Sequence, residues 1–201
     1  MNSEIFSIRE TLKASLKPGR YEHSLSVSFT CMALAMKYGY DIDKAELAGL
    51  LHDCAKCYDN ETIIEACRKK GLELTEGELQ APSIIHSRLG AQMAEEKFGI
   101  TDPEILSAIA CHTTGKPDMS MLDKILYIAD YIEPRRYKVK NLPAIRRLAF
   151  EDLDQALFQI MEGTLRYLDE SGTYADIMTQ NAYHYYKKQM CTQTEEQKEG
   201  E

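Results

Sequence analysis

Four of the five histidines stand in short motifs that read as metal ligands: His23 in Tyr-Glu-His-Ser-Leu, His52 in Leu-His-Asp-Cys-Ala-Lys, His86 in Ile-His-Ser-Arg and His112 in Cys-His-Thr-Thr-Gly. Asp53 and Asp130 complete the set. Imidazole and carboxylate together suit a divalent first-row transition metal, and such a mixed nitrogen and oxygen site most often serves hydrolysis. Neighbouring residues do not share a helix face, so core packing does not explain the adjacent pair His52 and Asp53. An aspartate in an apolar helix is costly without a partner, and a metal cation would be that partner. Asp130, inside Tyr-Ile-Ala-Asp-Tyr-Ile, poses the same problem and takes the same answer.

His23, His52, Asp53 and Asp130 are therefore the expected principal metal ligands. His86 and His112 either hold a second metal or meet a substrate phosphate directly; both readings stay open. His184, in Tyr-His-Tyr-Tyr-Lys, reads as a hydrogen-bonded core residue. Cys54 and Cys57 form a lone Cys-x-x-Cys without a second pair, which reads as two thiols packed in the core. Cations cluster near the ligands: Arg20 one turn before His23, Lys56 one turn after His52, Arg88 close to His86, then Lys116, Arg135 and Arg136. Arginine suits bidentate phosphate contacts and lysine acts as a point charge. Thr113, Thr114 and Gly115 could add hydroxyl and backbone donors. Each of these residue types also ends helices or faces water; Arg20, Lys56 and Arg135 are read as functional.

Positioning such ligands requires helices. Apolar residues recur with helical spacing almost throughout and alternating strands are absent, so the expected fold is all-α. The spacing predicts helices over 5–16, 20–36, 43–57, 63–70 and 84–98, then from Pro103 to near His112 and from Ser120 to Ile132. A last long helical region over 152–186 is interrupted around Gly172. Pro18-Gly19 and Pro134 act as breakers, while Asp102-Pro103 reads as an N-cap followed by proline at the first helical position. Each histidine falls on or at the end of a helix, which is how bundle proteins project ligands inward. Ala48, Ala55, Gly90 and Ala108 lie three or four residues from ligands and leave room for close approach.

The 201 residues suit one domain over 1–190, followed by a disordered acidic tail over 191–201. A net charge of −8 argues against a general nucleic-acid binder. No stretch approaches the ~20 apolar residues of a membrane span, and the N-terminus lacks the basic start and apolar run of a signal peptide. The expected location is the cytoplasm, where six cysteines at irregular positions stay reduced. A homodimer is compatible with the sequence.

Five ordered segments carry a closer likeness: His23-Ser24-Leu25-Ser26-Val27, Leu51-His52-Asp53-Cys54-Ala55-Lys56, His86-Ser87-Arg88-Leu89-Gly90-Ala91, His112-Thr113-Thr114-Gly115 and Ala129-Asp130-Tyr131-Ile132-Glu133-Pro134. The chain resembles the YqeK family of HD-domain phosphohydrolases from about Lys17 to Tyr186. That resemblance implies a helical HD-domain bundle with an interior metal site. It also implies iron, or manganese or cobalt, as one or two ions, and symmetrical hydrolysis of diadenosine tetraphosphate to two ADP. It places the principal metal on His23, His52, Asp53 and Asp130, with Asp53 and Lys56 as catalytic residues. Arg20, His23, Lys56, His86, Arg88, His112, Thr113 and Arg135 would contact the nucleotide. The segment 172–181, which helps enclose the nucleotide in that family, departs from the expected pattern. Alternatives are a phosphohydrolase for a deoxynucleoside triphosphate or cyclic nucleotide, and a non-catalytic nucleotide sensor with a structural metal.

Overall fold

The structure, a computed structural model, describes residues 3–139 and 141–199. Among them the chain forms eleven α-helices and no strand. They are α1 (Ser3–Ser15), α2 (Pro18–Tyr38), α3 (Ile42–Leu51), α4 (Asn60–Lys69), α5 (Glu76–Gln80), α6 (Ile85–Phe98), α7 (Pro103–Cys111), α8 (Met121–Ile132), α9 (Leu142–Ala149), α10 (Leu153–Glu170) and α11 (Ile177–Glu199). Short 3-10 turns cover Cys54–Cys57 and Pro82–Ile84. No helix among the described residues is long and apolar enough to cross a membrane.

Local chemistry sets the boundaries. Asp41, Asp59, Asp102 and Asp152 each cap a following helix by accepting backbone N–H groups, and Ser120 and Thr75 form reciprocal capping boxes with Asp123 and Glu78. Such a cap is worth ~1 kcal/mol. The inner bundle is α2, α3, α6, α7 and α8, with α10 packed on α8 and flanked by α9 and α11. Helix α8 is buried nearly all round, through Leu122, Ile125, Leu126, Ile128, Ala129 and Ile132, and so forms the central rod.

Two glycines permit the closest approaches. A Cβ on Gly49 would lie 2.6 Å from the Ser28 Cα, so α2 and α3 touch backbone to backbone there. A Cβ on Gly90 would stand 3.4 Å from the His52 carbonyl, and the Cys54 thiol donates to the Gly90 carbonyl at 3.4 Å. Helix α6 thus sits directly on the turn that carries His52 and Asp53.

Three expectations need correction. The helix predicted over 43–57 ends at Leu51: His52 and Asp53 form a turn and Cys54–Cys57 a separate 3-10 turn. Helix α11 runs through 191–199, the segment expected as a tail; residues 200 and 201 lie outside the described residues. Glutamate, glutamine and lysine are good helix formers, and a helix already anchored by buried Ala182 and Tyr186 extends without a new nucleus. His184 is an exposed residue of α11 rather than a core histidine, with its ring 5.6 Å from that of Tyr183. Helices α5 and α9 fall outside the set that the spacing predicts.

Candidate metal centre

The early end of α3 explains how two adjacent residues serve one site. His52 still has helical backbone, whereas Asp53 sits at φ −107°, ψ 19°, outside the helix, and the turn swings both side chains inward. His112 occupies the same position at the end of α7, and His86 lies in the first turn of α6. His23 comes from the second turn of α2 and Asp130 from the last turn of α8. Five chain segments therefore meet at one point, with His23, His52, Asp53, His86 and His112 all buried.

Hydrogen bonds fix which nitrogen of each ring faces inward. The Nδ1 of His52 donates to the Gly49 carbonyl at 2.7 Å, that of His86 to the Ser83 carbonyl at 2.6 Å, and that of His112 to the Ile109 carbonyl at 2.7 Å. A carbonyl only accepts, so Nδ1 carries a proton, and in the neutral ring the Nε2 lone pair points to the centre. His23 Nδ1 stands 3.3 Å from Glu133 Oε1, a carboxylate–histidine pairing that orients the ring and raises its basicity.

The four Nε2 atoms then confront one another. His23 and His52 are separated by 3.3 Å and His86 and His112 by 3.1 Å, Nε2 to Nε2. Asp53 lies between the pairs: Oδ2 is 3.4 Å from His52 Nε2 and Oδ1 is 3.1 Å from His86 Nε2. Asp130 Oδ1 is 3.1 Å from His23 Nε2. Facing lone pairs repel unless a cation lies among them. Donors bound at ~2.0–2.1 Å to one ion stand roughly 2.8–3.4 Å apart in octahedral to tetrahedral geometry, which spans these spacings. Two donor groups meet the test for holding a cation, His23 with His52 and Asp130, and His52 with Asp53 and His112.

Burial resists charge on Asp53, yet the His52 and His86 rings outweigh it and hold the carboxyl well below the usual range. Asp130 is held low against burial by His23, His52 and Arg136. Burial, with His52 and His86 alongside, pushes His112 down to about 3, so its imidazole is neutral and ready to ligate. Burial opposes a charge on His52, but Asp53 raises its pKa nonetheless.

The expected cations divide. Arg20 Nη1 donates to Asp53 Oδ2 at 2.6 Å, and Arg136 Nη2 to Asp130 Oδ1 at 2.9 Å. Lys56, carried on the 3-10 turn rather than a continued α3, has its Nζ 3.4 Å from the Ser83 carbonyl; burial lowers its pKa, against Asp53. Thr113 Oγ1 is 3.4 Å from His86 Nε2. Arg88 is not brought to the cluster: its Nη1 lies 2.7 Å from both Glu78 oxygens, because α5, which the apolar spacing does not reveal, supplies that partner. Lys116 pairs with Asp123, and Arg135 with Glu22 at the surface. Sequence reasoning missed Glu133; its position one turn beyond Asp130 was the signal that could have found it. Beside the cluster lies a cleft of about 440 Å³, lined by Arg20, His23, Glu133, Arg135, Arg136, Tyr137 and Lys138 among others.

A model described as the HD domain matches residues 20–135, the stretch that holds every histidine and aspartate of the cluster. The chain belongs to the HD-domain family. Among curated relatives, this HD-domain chain is 38% identical over 159 residues to the symmetrical bis(5'-nucleosyl)-tetraphosphatase of Bacillus subtilis (strain 168), covering 78% of this chain and 83% of the relative. The protein of the same description from Staphylococcus aureus (strain NCTC 8325 / PS 47) is 36% identical over 177 residues, covering 87% and 90%. A crystal structure described as a predicted HD superfamily hydrolase involved in NAD metabolism, from Clostridium acetobutylicum, superposes with a TM-score of 0.88 at 40% identity, covering 91% of this chain and 96% of that one.

Proposed function

We propose that this HD-domain chain is a metal-dependent phosphohydrolase that cleaves diadenosine tetraphosphate symmetrically to two ADP. The observation that carries this reading is the Asp53 carboxylate set between two inward-facing histidine pairs, beside a cleft walled by arginines. The curated relatives from Bacillus subtilis and Staphylococcus aureus carry the corresponding description.

His23, His52, Asp53 and Asp130 would hold the principal ion, iron or else manganese or cobalt, and His86 and His112 with Asp53 a second. When bound, such an ion polarises the phosphoryl oxygen and activates water at neutral pH. The chain's own residues do the rest. Glu133 orients His23, and the carbonyls of Gly49, Ser83 and Ile109 orient the other three rings, so the donors are held before substrate arrives. A guanidinium has five donors, so Arg20 and Arg136 keep capacity for phosphate oxygens after binding Asp53 and Asp130. Arg135 and Lys138 extend that positive wall outward and neutralise the departing nucleoside diphosphate. On the other side, Lys56 and the Thr113 hydroxyl are placed to meet the second half of the polyphosphate.

Incubating metal-loaded protein with diadenosine tetraphosphate and separating the products tests the proposal. ADP as the sole nucleotide product is expected. AMP with ATP would reject the symmetrical cut, and no turnover with iron, manganese or cobalt would reject the activity. Deoxynucleoside triphosphates, cyclic nucleotides and NAD belong in the same panel, and faster turnover of any of them would reassign the substrate.

A further inference from the structure

Tyr137 lines the cleft beside the metal centre, and the phosphate chemistry does not use it. The residue is 80% exposed, in the loop between α8 and α9, within the run Arg135-Arg136-Tyr137-Lys138. A residue this open contributes little to folding, and Tyr137 belongs neither to the core cluster nor to the residues packed on it. Lys138 Nζ stands 5.7 Å from the ring centroid, a cation–π spacing. The same cleft has His23 in its lining, so it opens on the metal centre, and Arg20, Arg135 and Arg136 line it too. A cleft that holds a reaction centre, three arginines and an exposed aromatic ring has the two parts of a nucleotide site, charge for the phosphates and a flat apolar face for the base.

We infer that Tyr137 is the stacking platform for one purine base of the substrate, with Arg135, Arg136 and Lys138 holding the phosphates that join that base to the metal centre. This rests on the phosphohydrolase reading and deepens it. With one purine on Tyr137, the spacing from base to reacting phosphorus is fixed by the chain, and Tyr137 determines specificity without touching the reacting atoms.

The chain has no tryptophan, so Tyr137→Trp introduces a single reporter. In the metal-loaded Tyr137→Trp protein, ADP quenches the tryptophan fluorescence saturably and inorganic pyrophosphate does not. No response to ADP, or an equal response to pyrophosphate, overturns the assignment. In steady-state turnover of diadenosine tetraphosphate, Tyr137→Ala raises KM about ten-fold or more, with kcat within about two-fold, and Tyr137→Phe behaves as the parent. An unchanged KM in Tyr137→Ala overturns the platform, as does a loss in Tyr137→Phe equal to that in Tyr137→Ala. If the parent protein does not turn over diadenosine tetraphosphate at all, the proposed activity fails, while the fluorescence titration still decides the subsite.

Discussion

Helix α8 carries two aspartates about 10 Å apart along its axis, Asp123 in its first turn and Asp130 in its last, and the two are partnered differently. Asp123, fully buried, is closed by donors of its own chain: the Ser120 N–H at 2.8 Å, the Ser107 hydroxyl at 2.9 Å and the Lys116 ammonium at 2.9 Å. Asp130 and Asp53 each take one guanidinium, from Arg136 and Arg20, and otherwise face imidazole nitrogens that are themselves acceptors in their neutral form. A buried carboxylate alone is therefore no evidence of function. Chemistry is indicated where the protein leaves electron pairs facing one another, a mismatch that a cation resolves.

The largest effect separating the two regions belongs to Asp53. Asp53→Asn keeps the shape and removes the charge, and turnover falls by about a thousand-fold or more, since metal-assisted charge stabilisation is worth several kcal/mol. Circular dichroism should show the helix content of the parent. A collapse of helix content would mean that Asp53 is structural, like Asp123.

Asp123→Ala should do the reverse. It removes half the Ser120 capping box and the partner of Lys116, and denaturant melts should show a loss of about 2–3 kcal/mol, at the low end for a broken buried pair because Lys116 is partly exposed. Metal bound per folded chain stays at the parental value; a drop would couple the two ends of α8 and break the distinction. The smallest effect concerns Glu133. Glu133→Gln keeps an acceptor for His23 Nδ1 but loses the negative charge, and competition with a chelator should show metal affinity lower by about 10- to 100-fold.

The clustering of His23, His52, Asp53, His86, His112 and Asp130 was legible because histidine and aspartate inside apolar helical runs each demand a partner, and one cation would supply it to several of them together. The helices were legible from their period. What escaped depended on short elements and long-range contacts. Helix α5 is only five residues long, too short for a period, although Thr75 and Glu78 show the capping-box spacing. Missing it hid Glu78, and with it the reason Arg88 turns away from the histidines. The end of α3 at Leu51 has no glycine or proline to announce it, so His52 and Asp53 looked like helix neighbours rather than two residues of a turn. The exposure of His184 was hidden because packing partners decide which face of α11 is buried, and those partners come from distant parts of the chain.

The most direct measurement is elemental analysis of freshly purified protein, with turnover followed through chelation and metal return. At least one equivalent of transition metal per chain is predicted, lost together with hydrolysis of diadenosine tetraphosphate on chelation and regained with it when metal is restored. Full hydrolysis by metal-free protein, or retention of parental metal content by a His52→Ala, Asp53→Asn double variant, would contradict the account.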